Sequence, residues 1–191
     1  MNDRFCSRLK ERPVIAAVKD PEEIDAALNS ECSVVFLLCG SIFNLKEIVE
    51  KAKEADKMIF IHADLIEGFS RDAVAMRYIA KEICPDGIIS TKSSLLKAAK
   101  ELGLFTVQRL FIVDSLSVHT TEKSTALIRP DVVEVLPGIA PRIIRQIALR
   151  VNVPVIAGGL VSEEGDVYNA LQNGAIGAST SCKELWNFKK S

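Results

Sequence analysis

Two short polar segments carry the residue types that hold an anion. Gly158-Gly159 directly follows one apolar run, and Ser179-Thr180-Ser181 ends another. Glycine lets the backbone approach a ligand closely, and hydroxyls beside free N–H groups at a helix start can hold a phosphate. Gly158, Gly159, Ser179 and Thr180 are therefore candidate phosphate-binding residues. The competing reading is that the glycines only turn the chain and Ser181 only caps a last helix. A second group is His62, Asp64 and Glu67. His62 and Asp64 are two apart, so on a strand they share a face. That pattern suits a metal site, an acid–base pair, a brace that orders a loop, or carboxylates that grip ligand hydroxyls. With only His62 and His119 in the chain, a His-rich zinc site is excluded, and neither a metal nor a cofactor is expected.

Lys19, Lys92 and Arg109 are cations, each at the end of an apolar run. A buried lysine of depressed pKa can form a Schiff base. A cation held beside an anion instead stays charged and binds it. Glu134 stands inside the apolar stretch VVEVLPG, where a buried carboxylate needs a partner. Lys92 and Arg109 are the candidates, whether for a ligand site or for a purely structural ion pair.

The elements that must position these groups can be read from periodicity. Apolar runs at 14–18, 34–39, 58–62, 87–90, 106–113, 132–136, 154–157 and 175–179 are rich in Val and Ile and unbroken rather than alternating. Such runs suit strands buried on both faces. Helix signals lie between them: Asp20-Pro21-Glu22-Glu23, Asn44 before LKEIVEKAKEA, Ser93 before LLKAAKELG, Pro141 before RIIRQIALRV, and Ser162-Glu163-Glu164. Eight strands alternating with helices predict an α/β fold, a compact (β/α)8 TIM-type barrel spanning 1–191, with residues 1–13 as an N-terminal lead-in. An open doubly wound sheet is the alternative. In a barrel every candidate named above falls at the C-terminal end of a strand or in the loop after it, the face where barrel sites are built.

The 191 residues allow about 24 per unit, lean against the ~250 typical of the fold, so helices and lower loops must be short. With 48% apolar and 26% charged residues, disorder, collagen and coiled coil are excluded. A net charge of −1 excludes a uniformly basic surface but leaves room for a local patch. Cys6, Cys32, Cys39, Cys84 and Cys182 form no CxxC pair, which suits reduced thiols in a cytoplasmic protein. The charged start MNDRFCSRLKER has no apolar stretch of a signal peptide, and no apolar run approaches the roughly 20 residues of a membrane span.

Seven blocks resemble the glycerol uptake operon antiterminator regulatory proteins, which respond to glycerol 3-phosphate. They are 34–40 (VVFLLCG), 62–72 (HADLIEGFSRD), 86–92 (DGIISTK), 108–115 (QRLFIVDS), 130–138 (PDVVEVLPG), 156–161 (IAGGLV) and 178–186 (ASTSCKELW). The resemblance implies a barrel that binds glycerol 3-phosphate, acts on the leader mRNA of glycerol-catabolic operons and lets transcription read through a terminator, without turnover. It implies phosphate at Gly158, Gly159, Ser179 and Thr180. The glycerol hydroxyls would then fall near His62, Asp64, Glu67 and Glu134, with Lys19, Lys92 and Arg109 as charge partners. No membrane partner is implied, and the positive charge that RNA needs would come from a patch or from a homo-oligomer. Two other readings share the phosphate loops: a barrel enzyme acting on a small phosphorylated substrate such as a glycerol phosphate, and a ligand-binding barrel that works through a protein partner.

Overall fold

The computed structural model describes residues 2–189. Eight parallel strands close into a barrel in sequence order. They are β1 (Val14–Val18), β2 (Val34–Leu37), β3 (Met58–His62), β4 (Gly87–Ser90), β5 (Phe105–Phe111), β6 (Val132–Leu136), β7 (Val155–Gly158) and β8 (Ala175–Thr180). The ring closes where Val14, Ile15 and Ala16 pair with Ala178, Ser179 and Thr180. The open-sheet alternative is excluded by that pairing.

The unbroken apolar runs have a direct cause. On β3, Met58 and Phe60 point into the barrel, while Ile59 and Ile61 pack under the surrounding helices, so both faces are dry. The outer layer holds α2 (Ile24–Leu28), α3 (Leu45–Glu54), α4 (Ala73–Tyr78), α5 (Ser93–Glu101), α6 (Ser115–Ile128), α7 (Pro141–Ala148) and α8 (Glu164–Gln172). Among the described residues, no helix is long and apolar enough to cross a membrane.

Two helices lack the stripe that reveals the others in sequence. The six-residue α4 is set by Asp72, whose carboxylate accepts from the Val74 and Ala75 N–H groups, and it runs on into one wide turn in which Cys84 N donates to Ile79 O. In α6 the buried face carries Thr121 and Thr125 beside Val118 and Ile128, so polarity hides its periodicity. Asn44 and Ser93 also differ from their expected capping roles. The Asn44 amide oxygen accepts from Ser41 N and braces the loop after β2, and Lys92 takes the position before α5.

The first residues are more than a lead-in, because α1 (Asn2–Glu11) lies across the lower end of the barrel. Its Phe5 ring sits 5.2 Å from Phe60 and 4.9 Å from Phe105, and Leu9 joins the same cluster. Lower-rim carboxylates satisfy strand N–H groups: Asp86 accepts from Ile59 N, and Asp131 from Thr106 N and Oγ1. These aspartates lie in the DGIISTK and PDVVEVLPG blocks, yet they hold sheet edges rather than face the mouth.

Candidate functional site

The upper mouth is assembled from strand ends. Glu134 on β6 is 1% exposed, and its register partner across the sheet is Arg109 on β5. The Arg109 Nε donates to Glu134 Oε2 at 2.6 Å, and Ser179 Oγ donates to Oε1 at 2.5 Å. Of the two cations expected to pair with Glu134, the structure selects Arg109. Both carboxylate oxygens are thereby engaged, which offsets the cost of burying the charge.

Gly158 is required by this cluster. A Cβ there would lie 2.5 Å from Glu134 Oε1 and 2.7 Å from Ser179 Oγ, so a side chain at this strand position would displace the pair. Gly159 follows with φ +74, and Leu160 with φ +63. Left-handed backbone is unfavourable for leucine, and this one is 70% exposed. The strained turn tips the loop after β7 over the mouth.

That loop is clasped to the one after β8. Thr180 Oγ1 donates to Val161 O at 2.6 Å and accepts from Cys182 N at 2.9 Å. The Trp186 indole donates to Thr180 O at 2.9 Å, seating the final turn (Lys183–Asn187) beneath the loop. Above the Arg109–Glu134–Ser179 cluster lies a cavity of about 550 Å³, lined also by Lys19, Gly159, Leu160, Ser181 and Cys182. That volume suits a small metabolite.

Of the residues singled out in the sequence, Lys19, Arg109, Glu134, Gly159, Ser179 and Thr180 line this cavity, with Gly158 against its floor. Glu67 lines an adjoining hollow of about 410 Å³ that shares Lys19 and Leu38 with it. His62 and Asp64 are set apart. Asp64 Oδ2 accepts from Ser90 Oγ and Thr91 N, each at 2.9 Å, tying the end of β3 to that of β4. The His62 Nδ1 lies 3.7 Å from the same oxygen and, like Asp64 Oδ1, is buried with no hydrogen-bond partner among the described residues. Burial, then the nearby Arg109 charge, pushes the His62 pKa down to about 4, so the imidazole is neutral near pH 7. Lys92 is exposed on the rim, and its N–H donates to Ser90 Oγ. Among the described residues, no group of three or more His, Cys, Asp or Glu is placed to hold a metal.

Sequence reasoning missed Leu160, Leu136, Leu38 and Cys182 as cavity residues. They are apolar or small residues next to polar ones, and nothing in their spacing separates them from core.

Residues 14–186 match the model of the glycerol-3-phosphate responsive antiterminator family. The chain belongs to that family. It is 43% identical over 182 residues to an uncharacterized protein of Escherichia coli K12, YgcP, with 95% of each chain covered. The fold is similar to that of a glycerol uptake operon antiterminator regulatory protein from Listeria monocytogenes, with TM-score 0.88 and 33% identity over 92% of this chain and 95% of that one. A glycerol uptake operon antiterminator-related protein from Thermotoga maritima gives TM-score 0.81 and 34% identity, over 92% and 98%. The mouth holds a cavity lined by the side chains of Lys19, Arg109 and Glu134 and by the hydroxyl-bearing residues Ser179, Thr180 and Ser181. Its one buried carboxylate is already paired, and its one buried histidine sits outside the cavity.

Proposed function

We propose that this antiterminator barrel is a cytoplasmic sensor of glycerol 3-phosphate that, when loaded, binds leader mRNA of glycerol-catabolic operons and promotes read-through. The observation that carries the reading is the pair of clasped loops over Arg109, Glu134 and Ser179, in a chain of this family. The phosphate takes the backbone of Gly159 with the loop after β8, and Lys19 and Arg109 supply charge. Glu134, held in place on two sides, faces the hydroxyl end, where a carboxylate accepts hydrogen bonds and repels a second phosphate. Glu67 lies within reach of the same end through the adjoining hollow. His62 and Asp64 act from behind, by fixing the strand ends. An enzyme would need a base or nucleophile at the cavity. Lys92 on the rim and His62 beneath it do not meet that need.

Calorimetry with glycerol 3-phosphate tests the first half. Binding to the wild type and none to Gly159→Val, whose side chain would crowd Leu136, is the expected result. Equal affinity for both would refute the phosphate placement. A gel shift of leader RNA with and without glycerol 3-phosphate tests the second half. Absence of any shift at low salt, where phosphate contacts are strongest, would end the regulatory reading.

A further inference from the structure

The mouth is the wrong surface for RNA. Its loops expose Asp20, Glu22, Glu67, Glu163 and Glu184 against the cations Lys19 and Lys92, and Lys183 is already paired with the half-buried Glu23 at 3.0 Å. A polyanion is better served by a face where cations outnumber carboxylates.

Such a face exists on the lower flank. A second cavity, of about 470 Å³, opens between the C-terminal half of α6 and the loop from α7 to β7. Arg129 and Arg150 stand in its wall with Asn152 and a single carboxylate, Glu122, and Ala126, Val151 and Val153 give it an apolar side. No ion pair occupies the Arg129 guanidinium among the described residues, while Arg150 Nη1 lies 3.8 Å from Glu122 Oε2. Arg129 ends α6 with φ +51, a conformation that helix ends usually assign to Gly or Asn. Its carbonyl accepts from Lys100 Nζ of α5, which adds a third cation to the edge.

We infer that this cavity, framed by Arg129, Arg150 and Asn152, is the RNA-contact site and takes one unstacked nucleotide of a single-stranded segment. A guanidinium fork matches a phosphate in two bonds and can also stack on a base. The Asn152 amide offers both a donor and an acceptor to a base edge, and the valines give the base a dry wall. RNA read in single-stranded loops presents those groups together. The cavity is also connected to the mouth through α6. Buried Gln108 donates to Ser124 Oγ and accepts from Thr125 Oγ1, and the next residue on β5 is Arg109. A ligand that shifts Arg109 therefore acts on a strand bonded to the cavity wall.

The inference rests on the antiterminator reading, and the test separates the two. Fluorescence anisotropy of a labelled leader transcript is measured at several salt concentrations with the wild-type chain, Arg129→Glu, Arg150→Glu and Glu122→Gln, each checked for an unchanged melting temperature. The expected result is an affinity lowered about tenfold or more by either glutamate, and a salt slope shallower by about one phosphate contact. Glu122→Gln, which removes the competing carboxylate, should raise affinity. Competition as effective by free nucleoside monophosphates as by RNA would overturn the assignment, making this a free-nucleotide site. Wild-type binding with unchanged affinity and slope in both glutamate variants would overturn the site and leave the antiterminator reading intact. No binding by the wild type, with or without glycerol 3-phosphate, would overturn both.

Discussion

At its lower end the barrel is filled by Phe5, Phe36, Phe60 and Phe105, with ring centroids 4.9 to 5.7 Å apart. One inward-facing position further up strands β3, β5, β6 and β7, the filling changes. Phe60 gives way to His62, Val107 to Arg109, Val132 to Glu134 and Ile156 to Gly158. One periodicity thus builds a dry plug and a polar mouth from adjacent layers. The plug is held by dispersion and exclusion of water. The mouth is held by hydrogen bonds to a buried charge, which are directional and fail when one member is lost.

The largest effects come from breaking each layer once. Phe60→Ala should lower unfolding free energy by about 3–5 kcal/mol, through lost burial and the cavity left behind. Its affinity for glycerol 3-phosphate should hold wherever the chain stays folded. Glu134→Ala should cost a similar 3–5 kcal/mol, because it leaves the Arg109 guanidinium buried and unpaired, and it should abolish ligand binding too. Urea denaturation with calorimetry on both variants reads the contrast. A double replacement, Arg109→Met with Glu134→Leu, sharpens it. Stability should return while ligand binding stays lost. If the double variant bound ligand normally, the mouth would be only a structural layer.

How much of this was legible differs between the two layers. The barrel follows from eight unbroken apolar runs, because parallel strands wetted on neither face can hardly look otherwise. The site residues were legible as types: Glu134 is conspicuous inside VVEVLPG, and its partner was narrowed to Lys92 or Arg109. Choosing between them needed the β5–β6 register, which places Arg109 opposite Glu134. The plug was not legible. NDRFCSRLKE is dominated by charge, and although Phe5 and Leu9 stand at the i, i+4 spacing of one helix face, only docking reveals that they close the barrel. Nor could spacing show that Asp64 turns its carboxylate to Ser90 and Thr91, since that depends on where two loops meet.

A smaller effect separates the layers by pH. His62 has a folded pKa near 4 against about 6.5 when unfolded, so between those values the unfolded chain binds the extra proton. Stability is therefore fully present above pH 6.5 and falls as pH drops toward 4, by on the order of 3 kcal/mol from this group. His62→Gln should flatten that part of the profile, while Phe60→Ala, one layer below, should lower the whole curve without changing its shape over this window. A wild-type profile that is level from pH 6.5 to 4.5 would mean the imidazole is not held neutral.

The smallest effects lie on β8, where successive residues face opposite ways. Ser179→Ala removes one donor from Glu134 but leaves Arg109 in place, so the cost should be about 1.5–3 kcal/mol, the range for a bond to a charged group. Thr180→Val removes the neutral clasp to Val161 O and Cys182 N and should cost about 1 kcal/mol. Ligand affinity should rank the two differently from stability. Thr180 lines the cavity beside Ser179 and also holds the two loops together, so its loss frees both loops and the proposed phosphate site must be ordered anew on each binding event. Calorimetry should accordingly show a more unfavourable binding entropy for Thr180→Val than for Ser179→Ala. An identical entropy for the two would mean that the clasp does not preorganise the loops, and that the mouth is shaped by its buried charge alone.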